Sequence, residues 1–343
     1  MKSSQVTIVD IARELHISPS TVSRALKGDL RISDATRRMV SELAAKRNYL
    51  PNSVALSLVK SRTNTIGVII PEIAHHFFSA AISGIEDIAY ASGYHVMICQ
   101  SNESHEREVA NTQALISSRV DGLIVSVSSG SQQFGHFERL HEKGIPLVFF
   151  DRICENMATS RVIVDDYEGA YMAVEHLLAV GCRRIAHLAG PPSLLITHNR
   201  LKGYLDALRH NNQPIDPQLI VNCDTTLKNG LAGAKQLLEQ TNGEVDGIFA
   251  AIDMVAIGAM MAIKEKGLRI PDDIAVLGFA NNQYAPLFEP SLTSIEQPAF
   301  EMGQTATRLF LRQVADTEAP PVIKVLKTQL VIRNSSKRQA AYH

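Results

Sequence analysis

Residues 6–26, VTIVDIARELHISPSTVSRAL, read as two short helices joined by a tight turn. Thr7 is placed to cap a helix that starts at Ile8. Asp10 lies in its first turn, where the helix dipole favours a carboxylate. Ile8, Ile11, Ala12 and Leu15 recur at helical spacing and make one apolar face. Ala12 is small where a second helix must cross closely. One residue of the turn Leu15-His16-Ile17 takes positive φ, and His16 stands where glycine is common. Ser18 then caps, and Pro19 sits at the first helical position, where its missing N–H costs nothing. Val22, Ala25 and Leu26 face inward, which leaves Pro19, Ser20, Ser23 and Arg24 outward. Short polar groups and an arginine on the first half of a second helix suit base edges in a major groove. A third helix is expected from a Ser33 cap through Asp34 to about Lys46, with Met39, Val40, Leu43 and Ala44 as its apolar face.

Charge separates this head from the remainder. Residues 1–62 hold eleven Lys and Arg against five Asp and Glu, a net +6 in a 343-residue chain whose total is −1. The rest therefore carries −7, and a basic head on an acidic body suggests a polyanion partner at one end. Apolar residues at 45% and charged residues at 20% fit a globular chain. No run is long enough to span a bilayer and the N-terminus has no apolar signal core, so a cytosolic protein with no membrane partner is expected. Cys99, Cys154, Cys182 and Cys223 are scattered, which favours small buried thiols over disulfides or metal ligands. There is no Gly-rich phosphate loop, Gly-x-Ser-x-Gly elbow or His-Glu-x-x-His, so neither an enzyme nor a cofactor is expected. His75-His76 does not suggest metal, because adjacent residues do not share a helical face.

The head, with ISDATRRMVSELAAKRNYLPNSVALSL after it, resembles the lactose-repressor (LacI/GalR) family, and the resemblance covers the whole chain. It implies an all-α helix-turn-helix DNA-binding head (1–50), a hinge (51–64) and a two-lobed α/β effector-binding and dimerisation body of periplasmic-binding-protein type (65–343). By resemblance Pro19, Ser20 and Arg24 occupy base-reading positions. Thr21, Ser23 and Tyr49 lie near phosphates, and Thr7 belongs to the same DNA-binding set. The hinge run NSVALSLVK is too short to be a stable isolated helix. The family pattern pairs two such hinges in the minor groove of a palindromic operator, with Leu58 wedged into a base step and Asn52 and Ala55 beside it.

From Thr65 onward, apolar runs alternate with helical stretches, the pattern of parallel sheets covered on both faces. VDGLI at 120–124 and VDGIF at 245–249 hint at two similarly built lobes. Ligands of such sheets bind at the carboxyl ends of the strands. The resemblance places Phe77 and Phe78 at ring-packing positions, Asp151 at a strand end, Arg200 as the effector arginine, and Asp253 and Gln297 at further cleft positions. There are departures. Ile252 precedes Asp253 where the family commonly has Asn, Thr225 stands at an aromatic position, and Ala280 replaces an acid, with Asn281 or Asn282 as candidate substitutes. Arginine, aspartate and amides flanked by rings read the hydroxyls of a sugar or sugar derivative. The reading is a ligand-controlled transcription regulator, in this family most often a repressor. A sugar-binding receptor without a DNA role is the alternative, and the head and hinge argue against it. The tail has no leucine heptads, so a homodimer is expected.

Overall fold

The computed structural model describes residues 6–49 and 62–338, which fall into two compact units, one within residues 1–63 and the other within 64–343. The hinge residues Asn52, Ala55 and Leu58 lie outside the described residues.

The first unit is three helices, α1 (Ile8–Glu14), α2 (Pro19–Leu26) and α3 (Asp34–Lys46). Each starts on a side-chain cap. Thr7 Oγ1 accepts from the Asp10 N–H at 3.3 Å while the Thr7 N–H donates to Asp10 Oδ2 at 3.0 Å, a reciprocal pair that satisfies two otherwise orphaned donors. Ser18 accepts from the Thr21 N–H and Ser33 from the Thr36 N–H. His16 takes φ +54° in the turn. Ile11, Ala12, Val22, Ala25, Val40 and Ala44 form the buried centre, ringed by Leu15, Ile17, Leu26, Leu43 and Tyr49. Met39 departs from expectation at 44% exposed. It precedes buried Val40 by one residue, about 100° around the helix, which carries it off the packed face.

The second unit holds two six-stranded sheets. The first contains β1 (Thr65–Ile70), β2 (His95–Gln100), β3 (Gly122–Val125), β4 (Leu147–Phe150), β5 (Ser160–Val164) and β11 (Ile323–Leu326). The second contains β6 (Ile185–Ala189), β7 (Ile220–Asn222), β8 (Gly247–Ala250), β9 (Ala275–Ala280), β10 (Thr293–Glu296) and β12 (Gln329–Val331). Their orders, β11-β5-β4-β3-β1-β2 and β12-β10-β9-β8-β6-β7, are the same path traced twice. The two VDG pieces lead into β3 and β8, equivalent strands, and their aspartates do equivalent work. Asp121 accepts from the Asn64 N–H ahead of β1, and Asp246 accepts from the Arg183 and Arg184 N–H groups ahead of β6. Pairing is parallel throughout except for β12, which runs antiparallel to β10. That strand ends the second sheet where β11, parallel to β5, ends the first.

Helices α4 (His76–Ala91), α5 (His105–Ser117), α6 (Gly135–Glu142) and α11 (Ala299–Ala315) cover the first sheet. Helices α7 (Asp166–Ala179), α8 (Leu195–His210), α9 (Leu227–Gln240) and α10 (Asp253–Glu265) cover the second. The chain thus passes between lobes three times, after β5, after β10 and after β11. None of these helices is long and apolar enough to cross a membrane. All four cysteines are free thiols, Cys154 and Cys182 buried and Cys99 and Cys223 half-buried.

Helix α11 returns to the first lobe and lies almost in backbone contact with α4. A Cβ on Gly303 would stand 1.9 Å from the Ala81 carbonyl oxygen, and one on Gly84 2.0 Å from that of Phe300. Backbone cannot yield as a flexible side chain does, so Gly303→Ala is expected to cost about 1–3 kcal/mol or more in urea unfolding. Gly233→Ala on α9 meets nothing nearer than 3.6 Å. It should be neutral or stabilise by up to about 1 kcal/mol, the ordinary helix preference for alanine. Equal effects at the two positions would remove the close crossing as the cause.

Candidate functional site

Two sites emerge, one per unit. On α2, Pro19, Ser20 and Arg24 are exposed on one face, with Thr21 and Ser23 half-buried beside them. Ser18 Oγ lies 2.7 Å from Ser20 Oγ and 2.8 Å from Thr21 Oγ1, a hydroxyl chain around the helix start. The Arg24 guanidinium makes no hydrogen bond among the described residues and is available to an external acceptor, while its carbonyl accepts from the Asp29 N–H. Thr7 is exposed but spends its hydroxyl on Asp10. Tyr49 packs against the helical core.

The second site is a cavity between the two lobes. The first lobe contributes His75, Phe77, Phe78, Asp151 and Arg152, and the second contributes Leu194, Thr197, Arg200, Thr225 and Ile252 among others. Gln297 lines it from the crossover after β10. The space these side chains leave between them is narrow, well below what a bound small ligand fills. Its walls are drawn in, so a sugar enters only if side chains or lobes yield.

Five of the seven expected cleft residues meet here: Phe77, Phe78, Asp151, Arg200 and Gln297. The rings of Phe77 and Phe78 pack edge to face at 5.2 Å. Asp151 sits just past β4 at φ +58°, which turns its buried carboxyl away from the strand direction. Burial pushes that carboxyl up to about 6. Arg200 donates from Nε and Nη2 to Asp166 Oδ1 at 2.8 and 2.7 Å and from Nη1 to the Ala251 carbonyl at 2.5 Å. Its guanidinium lies 3.8 Å from the centre of the Phe279 ring.

Asp253 and Asn281 do not line the cavity. Asp253 is buried and accepts from Ser294 Oγ at 2.6 Å and from the Asn282 N–H, fastening β10 and the chain after β9 to the start of α10. Asn281 accepts from Arg333 at 2.8 Å, and Asn282 accepts from the Tyr284 N–H at 3.0 Å. The reason is local: Ala280 at φ +101° and Asn281 at φ +50° turn the chain as soon as β9 ends. Side chains that linear matching would aim at the cleft address the neighbouring strand and tail instead.

Three polar wall residues lie outside the expected set. Arg152 donates to both oxygens of Glu103 at 2.8 and 2.9 Å and lies 5.7 Å from the Phe78 ring. His75, just before α4, is pushed down to about 4 by burial, and Thr197 opens α8. Arg152 directly follows Asp151, and His75 stands two residues ahead of Phe77; in the sequence alone neither carries a signal of direction. The unmet hydrogen-bonding capacity collects here: both ring nitrogens of His75, Nε of Arg152 and Nε2 of Gln297 are buried without partners. Buried polar groups are rarely left so. Unpaired polar atoms from the first lobe and the crossover therefore meet at one space, faced by Arg200 of the second lobe.

The family model for the periplasmic binding proteins and sugar binding domain of the LacI family matches residues 63–334, and that for bacterial regulatory proteins of the lacI family matches 7–52. The chain belongs to the LacI family. Its LacI-family relatives include the ribose operon repressor of Halalkalibacterium halodurans, 34% identical over 96% of this chain and 97% of the relative. Another is catabolite control protein A of Priestia megaterium, 32% identical over 97% and 99%. Among solved structures, a Lac repressor dimer bound to operator and the anti-inducer ONPF aligns at TM-score 0.86 and 28% identity over 97% of this chain and 99% of that one. A member of this family is a DNA-binding transcription regulator with a helix-turn-helix head and a two-lobed body, as the two units here are built.

Buried titratable groups in this LacI-family body oppose one another in pH. His187 lies between the rings of Phe249 and Tyr204 at 4.7 and 5.2 Å, donates from Nδ1 to the Phe249 carbonyl, and is pushed down to about 4 by burial. An imidazole depressed on folding contributes stability above its ordinary 6.5 that is lost as pH falls toward 4. Asp151 works the other way: raised from 3.8 to about 6, it favours the fold at low pH and loses that contribution as pH rises through 6. Relative to wild type, His187→Gln should retain more stability on acidification from 6.5 to 4. Asp151→Asn should gain as pH rises from 4 to 7. Urea unfolding at several pH values reads both, and a pH-independent difference for either variant would remove that group from the account.

Proposed function

We propose that this chain is a transcription repressor whose hold on a palindromic operator is set by a sugar or sugar derivative bound between its lobes. In this reading residues 1–50 bind DNA, 51–64 are the hinge, and 65–343 bind effector and dimerise. The observation that carries it is the convergence of unpaired polar atoms from His75, Arg152 and Gln297 on a cavity walled by Phe77, Phe78 and Arg200. Hydroxyls of a sugar supply the acceptors and donors these atoms lack, and the rings cover its apolar faces. Relatives point the same way: a CelR–cellobiose complex and a LacI-family regulator from Enterococcus faecium with bound ribose have this fold. A ligand touching both lobes shifts their equilibrium only by its differential affinity for the two arrangements, and a coupling of about 1–3 kcal/mol suffices for a switch. Two-fold pairing of heads on a palindrome makes that switch act on two half-sites at once.

A thermal-shift screen against sugars and sugar derivatives finds the ligand, and operator binding by fluorescence anisotropy with and without it tests the reading. Arg200→Ala should abolish the response while operator affinity persists. Because Arg200 also neutralises buried Asp166, Gln297→Ala, which breaks no ion pair, is the companion variant. Retention of the full response in both would exclude this cavity. On the DNA side, Arg24→Ala should cost about 1–3 kcal/mol and relax preference at one base pair. Loss spread evenly over all sequences would assign Arg24 to phosphate instead.

A further inference from the structure

Glu108, on α5, is completely buried, yet no lysine or arginine pairs with it among the described residues. Its oxygens accept from Ser131 Oγ at 2.7 Å and the Ser128 N–H at 2.8 Å, and Oε1 lies 3.1 Å from His136 Nε2 on α6. His105, three residues earlier on α5 and so on the same helix face, brings Nδ1 to 3.2 Å from the same Ser131 hydroxyl. Two imidazoles and one carboxylate thus present donor atoms that all lie within 4.8 Å of one another. Burying a carboxylate is costly unless a cation or a metal compensates it. Two histidines and a carboxylate form a donor set suited to zinc and neighbouring divalent transition metals.

We propose that His105, Glu108 and His136 bind one divalent transition-metal ion of the zinc class, at a site separate from the effector cavity. Tetrahedral bonds of about 2.0–2.2 Å set ligand atoms about 3.3 Å apart, so the widest pair must close by about 1.5 Å. His105 supplies that movement, because it is half-exposed at the first residue of its helix and its open side gives the ion a path in. The Ser131 hydroxyl, which bridges Glu108 and His105, turns aside, and water completes the fourth position. The ion would clamp α5 to α6, and the loop between β3 and α6 stays tied to that clamp through the Ser128 N–H on Glu108. Ser129 in that loop donates its N–H to Glu103 at 2.7 Å and accepts from Ser193 Oγ of the second lobe at 2.8 Å. A clamp on this loop stiffens the first-lobe side of the contact between lobes.

The test uses the full-length, untagged chain, stripped with chelator and titrated with Co²⁺ and then Zn²⁺. The expected result is one ion per chain, a tetrahedral d–d absorption for Co²⁺ that Zn²⁺ displaces, and a saturable rise in Tm with Zn²⁺. His105→Ala should lower affinity more than about tenfold with little change in the metal-free Tm. His105→Gln, which keeps a polar group toward Ser131, should lose affinity equally and serves if the alanine variant folds poorly. Absence of stoichiometric binding, an octahedral cobalt spectrum, or affinity unchanged in both variants would overturn the site and leave the cluster as a hydrogen-bonded brace. None of these readouts depends on the effector or on DNA.

Discussion

One guanidinium ties the floor of the cleft together. Arg200 projects from α8 and reaches three places at once: Asp166, where the chain has just crossed from β5 into the second lobe; the Ala251 carbonyl, just past β8; and the face of Phe279 in β9. Both partners of the ion pair are buried, at 5% and 4% exposure, so neither relies on solvent. Removing either charge would strand the other, a loss of about 3–5 kcal/mol for pairs of this kind. The same contacts immobilise the arginine before any ligand arrives, so little side-chain entropy remains to be lost on binding. The first lobe has its own version in Arg152 and Glu103, which is more open, since Glu103 is about a third exposed. The two walls therefore differ: the second-lobe arginine is fully hydrogen-bonded into the core, and the first-lobe arginine leaves its Nε without a hydrogen bond, 3.9 Å from Asp151 Oδ2.

What was legible in the sequence was whatever local chemistry determines. Thr7, Ser18 and Ser33 announce helix starts because a side-chain oxygen at that spacing has one natural donor to satisfy. The turn around His16 is legible from its place between two helix signals, although histidine at φ +54° stands where glycine is common. Long apolar runs such as IGVII and GLIV read as buried parallel strands. Two strands escaped that rule. TSIE at β10 is short and half polar, and IKVL at β11 is an edge strand interrupted by a lysine, with Ile323 and Val325 about half exposed. Neither resembles a run buried on both faces. The site was legible in position but not in direction. Matching along the chain located Asp253 and Asn281 near strand ends, where only φ at Ala280 and Asn281 decides which way the side chains turn. His75 and Arg152 were missed for the complementary reason: their orientation comes from α4 and β4 being neighbours in space.

The two lobes share strand order because the same local solution is used twice. In each, an aspartate ahead of the third strand in sequence accepts from backbone N–H groups ahead of the first, which sets the register of the central pair. The lobes part company only at their last strands, since β11 continues the parallel pairing and β12 reverses it. That reversal follows from the chain: β12 comes two residues after β11 ends, in the other sheet. Three crossovers join the lobes: the Asp165 N–H of the first donates to the Leu326 carbonyl at the third, and Gln297 lies on the second.

Charge separates the functions as firmly as the fold does. Residues 1–62 carry +6 and the remainder −7, so attraction to a polyanion is confined to the head and the body repels it. For a regulator this has a specific consequence. Nonspecific DNA affinity grows with the number of phosphates neutralised, and falls steeply with salt. An acidic body adds no such contacts, so the sequence-independent background is limited to what one small head can reach. The difference between operator and random DNA must then come from base contacts of the DNA-binding region and from pairing two heads on one palindrome. Pairing is also the quantity that a change in lobe geometry can alter without touching any base contact. The cleft therefore needs to shift the energy of pairing by only a few kcal/mol to move the protein between operator and solution.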